Sequence, residues 1–166
     1  DVPPCTNFSG GIFLNQLAEI LINEKVNLFG VFMPPPGLNI KFDQYVINQM
    51  NYKILKHLDN EYSNEAEKDD YLINIEIIVN NTVEFILNND IKMIWCYIQS
   101  ENILRILDEV YKKTNIPYIV QIMDPIEWYM KDKNFSAEKK QDLLKLFNIV
   151  INNAYHCFTA SEFNLP

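Results

Sequence analysis

The sequence predicts a three-layer α/β domain, with a mostly parallel sheet and helices on both faces. Three observations carry this expectation. Short apolar runs, from Val26 to Phe32, Ile91 to Ile98, Pro117 to Ile122 and Tyr155 to Ala160, read as strands. Between them lie longer segments whose apolar residues recur at helical spacing. The chain has 166 residues, 48% hydrophobic and 13% aromatic, which suits one domain over 1–166 with a sizeable core.

The first element opens at Ser9-Gly10-Gly11. Adjacent glycines permit a tight turn and close approach of a ligand or another backbone. Ile12, Phe13, Gln16, Leu17, Ile20 and Leu21 then lie on one broad stripe of an amphipathic helix. Val26 to Phe32 is apolar on both faces, as a buried parallel strand is. A helix N-terminus after a glycine loop suits a phosphate. It is equally plain chain geometry, because no complete phosphate-binding fingerprint is present. Asp1-Val2-Pro3-Pro4 occupies the place of a leading strand, yet proline is excluded from central strands.

Pro34 to Pro36 form a rigid polyproline-type loop. Tyr45, Val46, Gln49, Met50, Ile54 and Leu55 predict a helix from Phe42 to about Leu58. Residues 59–70 are polar and acidic and read as an exposed loop. Leu72, Ile75, Ile78, Val79, Thr82, Phe85 and Ile86 predict a helix from about Asp69 to Leu87. Ser100 can cap the helix carrying Ile103, Leu104, Ile106, Leu107, Val110 and Tyr111. Pro117 opens its strand, where proline is tolerated. Ser136 can cap a helix with Leu143, Leu144, Phe147, Val150 and Ile151 inside. Ser161-Glu162 reads as the opening of one more helix. In such sheets ligands sit beyond the carboxyl ends of the strands, where Gly10-Gly11, Asp124 and Ser161 would gather.

Composition narrows the function. A net charge of −8 argues against nucleic acid and against adhesion to anionic lipid, since both reward Lys and Arg. No run reaches the ~18 apolar residues of a membrane span, and no basic-then-apolar leader opens the chain. Cys5, Cys96 and Cys157 form no CxxC pair and read as reduced, mostly buried thiols of a cytoplasmic protein. Asn-x-Ser/Thr triplets at Asn7, Asn80 and Asn134 then reflect Asn richness rather than glycosylation.

Asp124-Pro125-Ile126-Glu127-Trp128-Tyr129 follows a strand directly. Carboxylates accept hydrogen bonds from a polyol, aromatic faces pack on sugar rings, and Asp124 or Glu127 can serve as a general base. The same residues also read as an N-terminal cap, with Asp124 at the cap, Pro125 at the first helical position and Glu127 two places on. His57 and His156 lack partners at metal-ligand spacing, and His156-Cys157 places its side chains on opposite faces of a strand, so no metal is expected. No nucleophile elbow, phosphate-binding Gly-Lys-Ser/Thr loop or nicotinamide fingerprint is present. Ser161 reads as a helix cap rather than a nucleophile.

The stretches DVPPCTNFSGGIFLNQLAEIL, IKMIWCYIQS, IPYIVQIMDPIEWYM and HCFTASE, in that order, resemble the N-terminal half of family-four glycosyltransferases of the GT-B fold. The resemblance spans nearly the whole chain. It implies a Rossmann-like, acceptor-binding domain that works with a second domain holding a nucleotide-sugar, with transfer in the cleft between them and no metal or other cofactor. It carries Gly10 and Gly11 onto the family's donor-diphosphate loop, and Asp124 onto the acidic residue after the strand, the catalytic candidate. Ser161 and Glu162 match the serine-acid pair that opens the last helix of this half. With Glu127 and Trp128 they make the acceptor-binding set. Met123 stands where many members carry histidine. The donor-binding half would follow Pro166, so the 166 residues alone are expected to be inactive. A bacterial cell-envelope or surface glycan is the acceptor class the family implies. The alternative is a free-standing Rossmann-like module that binds a small ligand or a protein without chemistry. A receiver-type domain fits less well, lacking an acidic pair after the first strand and a lysine after the last.

Overall fold

Backbone pairing turns the apolar runs into strands β1 (Leu28–Phe32), β2 (Met50–Ile54), β3 (Ile94–Ile98), β4 (Tyr118–Ile122) and β5 (His156–Thr159). Every pairing among them is parallel: β1 with β2, and β3-β4-β5 in that order. The structure, a computed structural model, describes residues 4–7, 9–32, 39–55, 75–98, 100–122, 124–131 and 135–159. Two compact units, Asp1–Ile73 and Asn74–Pro166, hold one sheet each. In both, helices connect strands that run the same way, the α/β, Rossmann-like arrangement.

In the first unit, helix α1 (Ser9–Asn23) leads into β1. It starts at Ser9, so Gly10 and Gly11 lie in its first turn rather than in a turn ahead of it. The first N–H groups of a helix have no partner within it. The expected apolar stripe is corrected, because Gly11, Asn15 and Ala18 of α1 are buried, whereas Ile12, Phe13 and Ile20 are exposed. At the other end Lys25 adopts a left-handed conformation (φ 62), and Val26 N–H donates to Leu21 C=O at 2.9 Å, closing a Schellman-type cap.

The segment after the opening prolines does not pair as a leading parallel strand. Cys5 bridges antiparallel to Phe42, Thr6 N–H donates to Lys41 C=O at 2.9 Å, and Asn7 Oδ1 accepts from Lys41 N–H at 2.9 Å. Residues 1–3 lie outside the described residues.

The helix expected from Phe42 to Leu58 is corrected. Among the described residues of that span, only α2 (Gln44–Asn48) is helical, started by the Asp43 carboxylate, which accepts from the N–H groups of Tyr45 and Val46. The chain then extends as β2, in register with β1 from Leu28↔Met50 to Phe32↔Ile54. Met50 and Ile54, four residues apart, fit a helical repeat, while Met50, Tyr52 and Ile54 also fit a two-residue alternation, and ladder bonds to β1 settle the choice. The polyproline loop and the acidic stretch lie outside the described residues.

In the second unit, α3 (Ile75–Asn88) covers the described part of the helix expected from Asp69. The helices α4 (Glu101–Thr114), α5 (Ile126–Lys131) and α6 (Ala137–Asn153) follow. Ser100 and Ser136 cap α4 and α6 as expected, accepting from Ile103 N–H at 3.5 Å and Lys139 N–H at 3.1 Å. Strand β4 alternates: Tyr118, Val120 and Ile122 are buried against Leu104, Leu107, Leu143 and Val150 of α4 and α6. Tyr118 donates its hydroxyl to Val150 C=O at 2.7 Å inside that core. Val79 and Ile86 of α3 pack on Val110 of α4 in a second cluster.

Candidate functional site

The carboxyl edge of the larger sheet is the row Ile98↔Ile122↔Thr159. The chains leaving β3 and β4 at that row carry candidate chemistry, because parallel strands deliver their loops to one edge.

From β4 the chain passes to Asp124, exposed, and Pro125, whose C=O accepts from Trp128 N–H at 2.9 Å. Helix α5 begins at Ile126, so Pro125 stands just ahead of its first residue rather than on it. Ile126 and Met130, four residues apart, are buried and pin one face of α5 to the core. Glu127 and Trp128 therefore project outward, and Trp128 is 62% exposed. Tyr129 packs near Phe135, with ring centroids 6.2 Å apart.

From β3 the chain passes to Ser100 and Glu101, the first residue of α4. Glu101 is buried, its side chain 8% exposed. Its Oε1 accepts from Arg105 Nε at 2.8 Å and from Lys139 Nζ at 2.7 Å, and lies 2.6 Å from Arg105 Nη2. Burial pushes the Glu101 carboxyl up, but the hydrogen bonds from Lys139 and Arg105 outweigh it and hold it below its ordinary 4.5. Helix α6 returns to β5, so its first turn sits at the same edge and delivers Lys139, whose ammonium also lies 5.9 Å from the Phe135 ring centre.

The structure thus places Asp124, Glu127 and Trp128 beside one strand end. It adds Glu101, Arg105 and Lys139, which sequence reasoning missed. The Glu101–Arg105 pair was readable as an i,i+4 pair. Lys139, 38 residues from Glu101, carried no such signal.

Gly10 and Gly11 belong to the other unit. Gly11 is buried, and its C=O accepts from Cys5 N–H at 3.1 Å. Ser161, Glu162 and Met123 lie outside the described residues, as does His57. On β5, His156 is exposed while Cys157 joins the core on the opposite face. The three cysteines are free thiols, Cys5 buried and the other two partly so. Among the described residues no helix is long and apolar enough to cross a membrane.

Compared with protein-family models, with curated proteins and with solved structures, the chain finds no match in any of the three.

Proposed function

We propose that this chain supplies the acceptor-binding side of a glycosyltransferase that takes its sugar from a nucleotide-sugar held by a second domain. The observation that carries the reading is the exposed indole of Trp128 beside the exposed carboxylates of Asp124 and Glu127 at the carboxyl end of β4. Indole faces pack on the apolar face of a sugar ring, and carboxylates accept from its hydroxyls. Asp124 is the base assigned to the acceptor hydroxyl, and Ser161 and Glu162 are the remaining acceptor contacts that the resemblance implies. Gly10 and Gly11, in the first turn of α1, are the groups assigned to the donor diphosphate, since N–H groups at a helix start favour anions.

The test is a titration of the chain with candidate acceptor glycans, followed by calorimetry, with nucleotide-sugars in parallel. Saturable binding heat with a glycan that disappears in Trp128→Ala, with an unchanged melting temperature, is the expected result. If no glycan binds, or if Trp128→Ala loses stability and not affinity, the reading fails and a binding module without catalysis replaces it.

A further inference from the structure

We propose that Arg105, Lys139 and Glu101 build a binding site for a phosphate or carboxylate group at the carboxyl edge of the β3-β4-β5 sheet. Both cations converge on one carboxylate oxygen, Glu101 Oε1, through contacts of 2.6 to 2.8 Å. A guanidinium has five N–H donors and an ammonium three, far more than one oxygen accepts. The cluster keeps one positive charge in excess, in a chain whose net charge is −8.

Exposure divides the cluster in the same sense. The Glu101 side chain is 8% exposed, whereas Arg105 and Lys139 are 45% and 41% exposed. The carboxylate therefore forms the floor and the cations the open side, so an incoming anion meets donors already held in place. Such pre-organisation lowers the ordering cost of binding.

Three other lysines are balanced differently. Lys112 faces two acids, Asp108 and Glu109, and Lys92 and Lys145 face one each, Asp90 and Asp142. None of these leaves a cation in excess. A clamp between α4 and α6 needs only Lys139 on Glu101. Arg105 stands on the same helix as Glu101 and adds charge, not a link. The cluster and Asp124 leave adjacent strand ends, Ile98 and Ile122 being register partners.

The site itself stands on this geometry. That its anion belongs to a glycosyl acceptor rests on the function proposed above. The shared chemistry is a compact anionic group, either a phosphate ester or the carboxylate of an acidic sugar.

The experiment titrates the whole chain with inorganic phosphate, pyrophosphate and glucuronate by calorimetry. It compares wild type with Arg105→Gln, Lys139→Gln, the double variant, and Lys145→Gln as a control cation elsewhere on α6. Wild type is expected to bind at least one probe saturably. Each single variant should weaken binding about tenfold, the loss of one charge-assisted hydrogen bond, and the double variant should abolish it. Lys145→Gln should leave affinity unchanged. No saturable binding by wild type, or equal affinity in the single variants and wild type, overturns the site. The single variants decide the outcome if the double variant does not fold. Preference for phosphate or for glucuronate separates the two sources. Anion binding in a chain that binds no glycan upholds the site and removes the acceptor reading, whereas glycan binding without any anion binding does the reverse.

Discussion

Lys139 Nζ meets Glu101 Oε1 at 2.7 Å across 38 residues of sequence, joining the first turn of α6 to the first turn of α4. Because its carboxyl is held below 4.5 in the folded chain, Glu101 contributes stability that is fully present above that ordinary value. The contribution is lost as pH falls through the lower, folded value. Urea unfolding as a function of pH should therefore show an acid limb starting below about pH 4.5 that is flatter in Glu101→Gln. Lys139→Gln should cost about 1 kcal/mol at neutral pH, modest because the lysine is partly exposed. Parallel acid limbs in wild type and Glu101→Gln would remove this carboxylate from the pH dependence.

Gly30 in β1 has no room for a side chain. A Cβ there would run into the ring of Phe32, two residues on and on the same face of the strand. That ring is 9% exposed and sits with its centroid 6.3 Å from that of Tyr52, which limits how far it can swing. Gly30→Ala should cost about 1–3 kcal/mol as an overpacked position. Phe32→Leu added to it should recover part of the loss, so the two changes should be non-additive in a double-mutant cycle. Additive costs would show that the ring moves aside freely.

Lys25 occupies a left-handed position at the end of α1 that glycine adopts without strain. Lys25→Gly should raise stability by about 0.5–1 kcal/mol, read from the urea midpoint at unchanged slope. Asn115, at φ 52 after α4, donates its N–H to Tyr111 C=O at 2.7 Å. Asparagine tolerates this conformation better than lysine does, so Asn115→Gly should gain less. Equal gains at the two positions would contradict the conformational account.

Cys96 and Cys157 share a row with Val120 between them, as Cys96↔Val120↔Cys157. Two strand spacings set their backbones about 9–10 Å apart, too far for a disulfide. Burial pushes the Cys96 thiol up to about 12 and raises that of Cys157. Since the thiolate is the nucleophile, neither should react with iodoacetamide at about pH 7.5 until the chain unfolds. Mass spectrometry of labelled native protein checks this, and rapid labelling of Cys96 in the folded state would refute it.

Elements with local signals are legible in the chain of residues alone. Ser100 and Ser136 mark the starts of α4 and α6, and the apolar runs before and after them pair as parallel strands. The same local chemistry marks Asp124, Glu127 and Trp128 as the residues leaving β4. Packing in three dimensions settles what local spacing leaves degenerate or never encodes. Met50 and Ile54 fit both periods, and hydrogen bonding to β1 makes their segment a strand. The outward aim of Trp128 depends on Ile126 and Met130 finding the core. Glu101 reads as an ordinary first-turn acid until α6 brings Lys139 to it. A charge contact between segments that far apart has no period in the chain, since the packing of two helices on one sheet creates it.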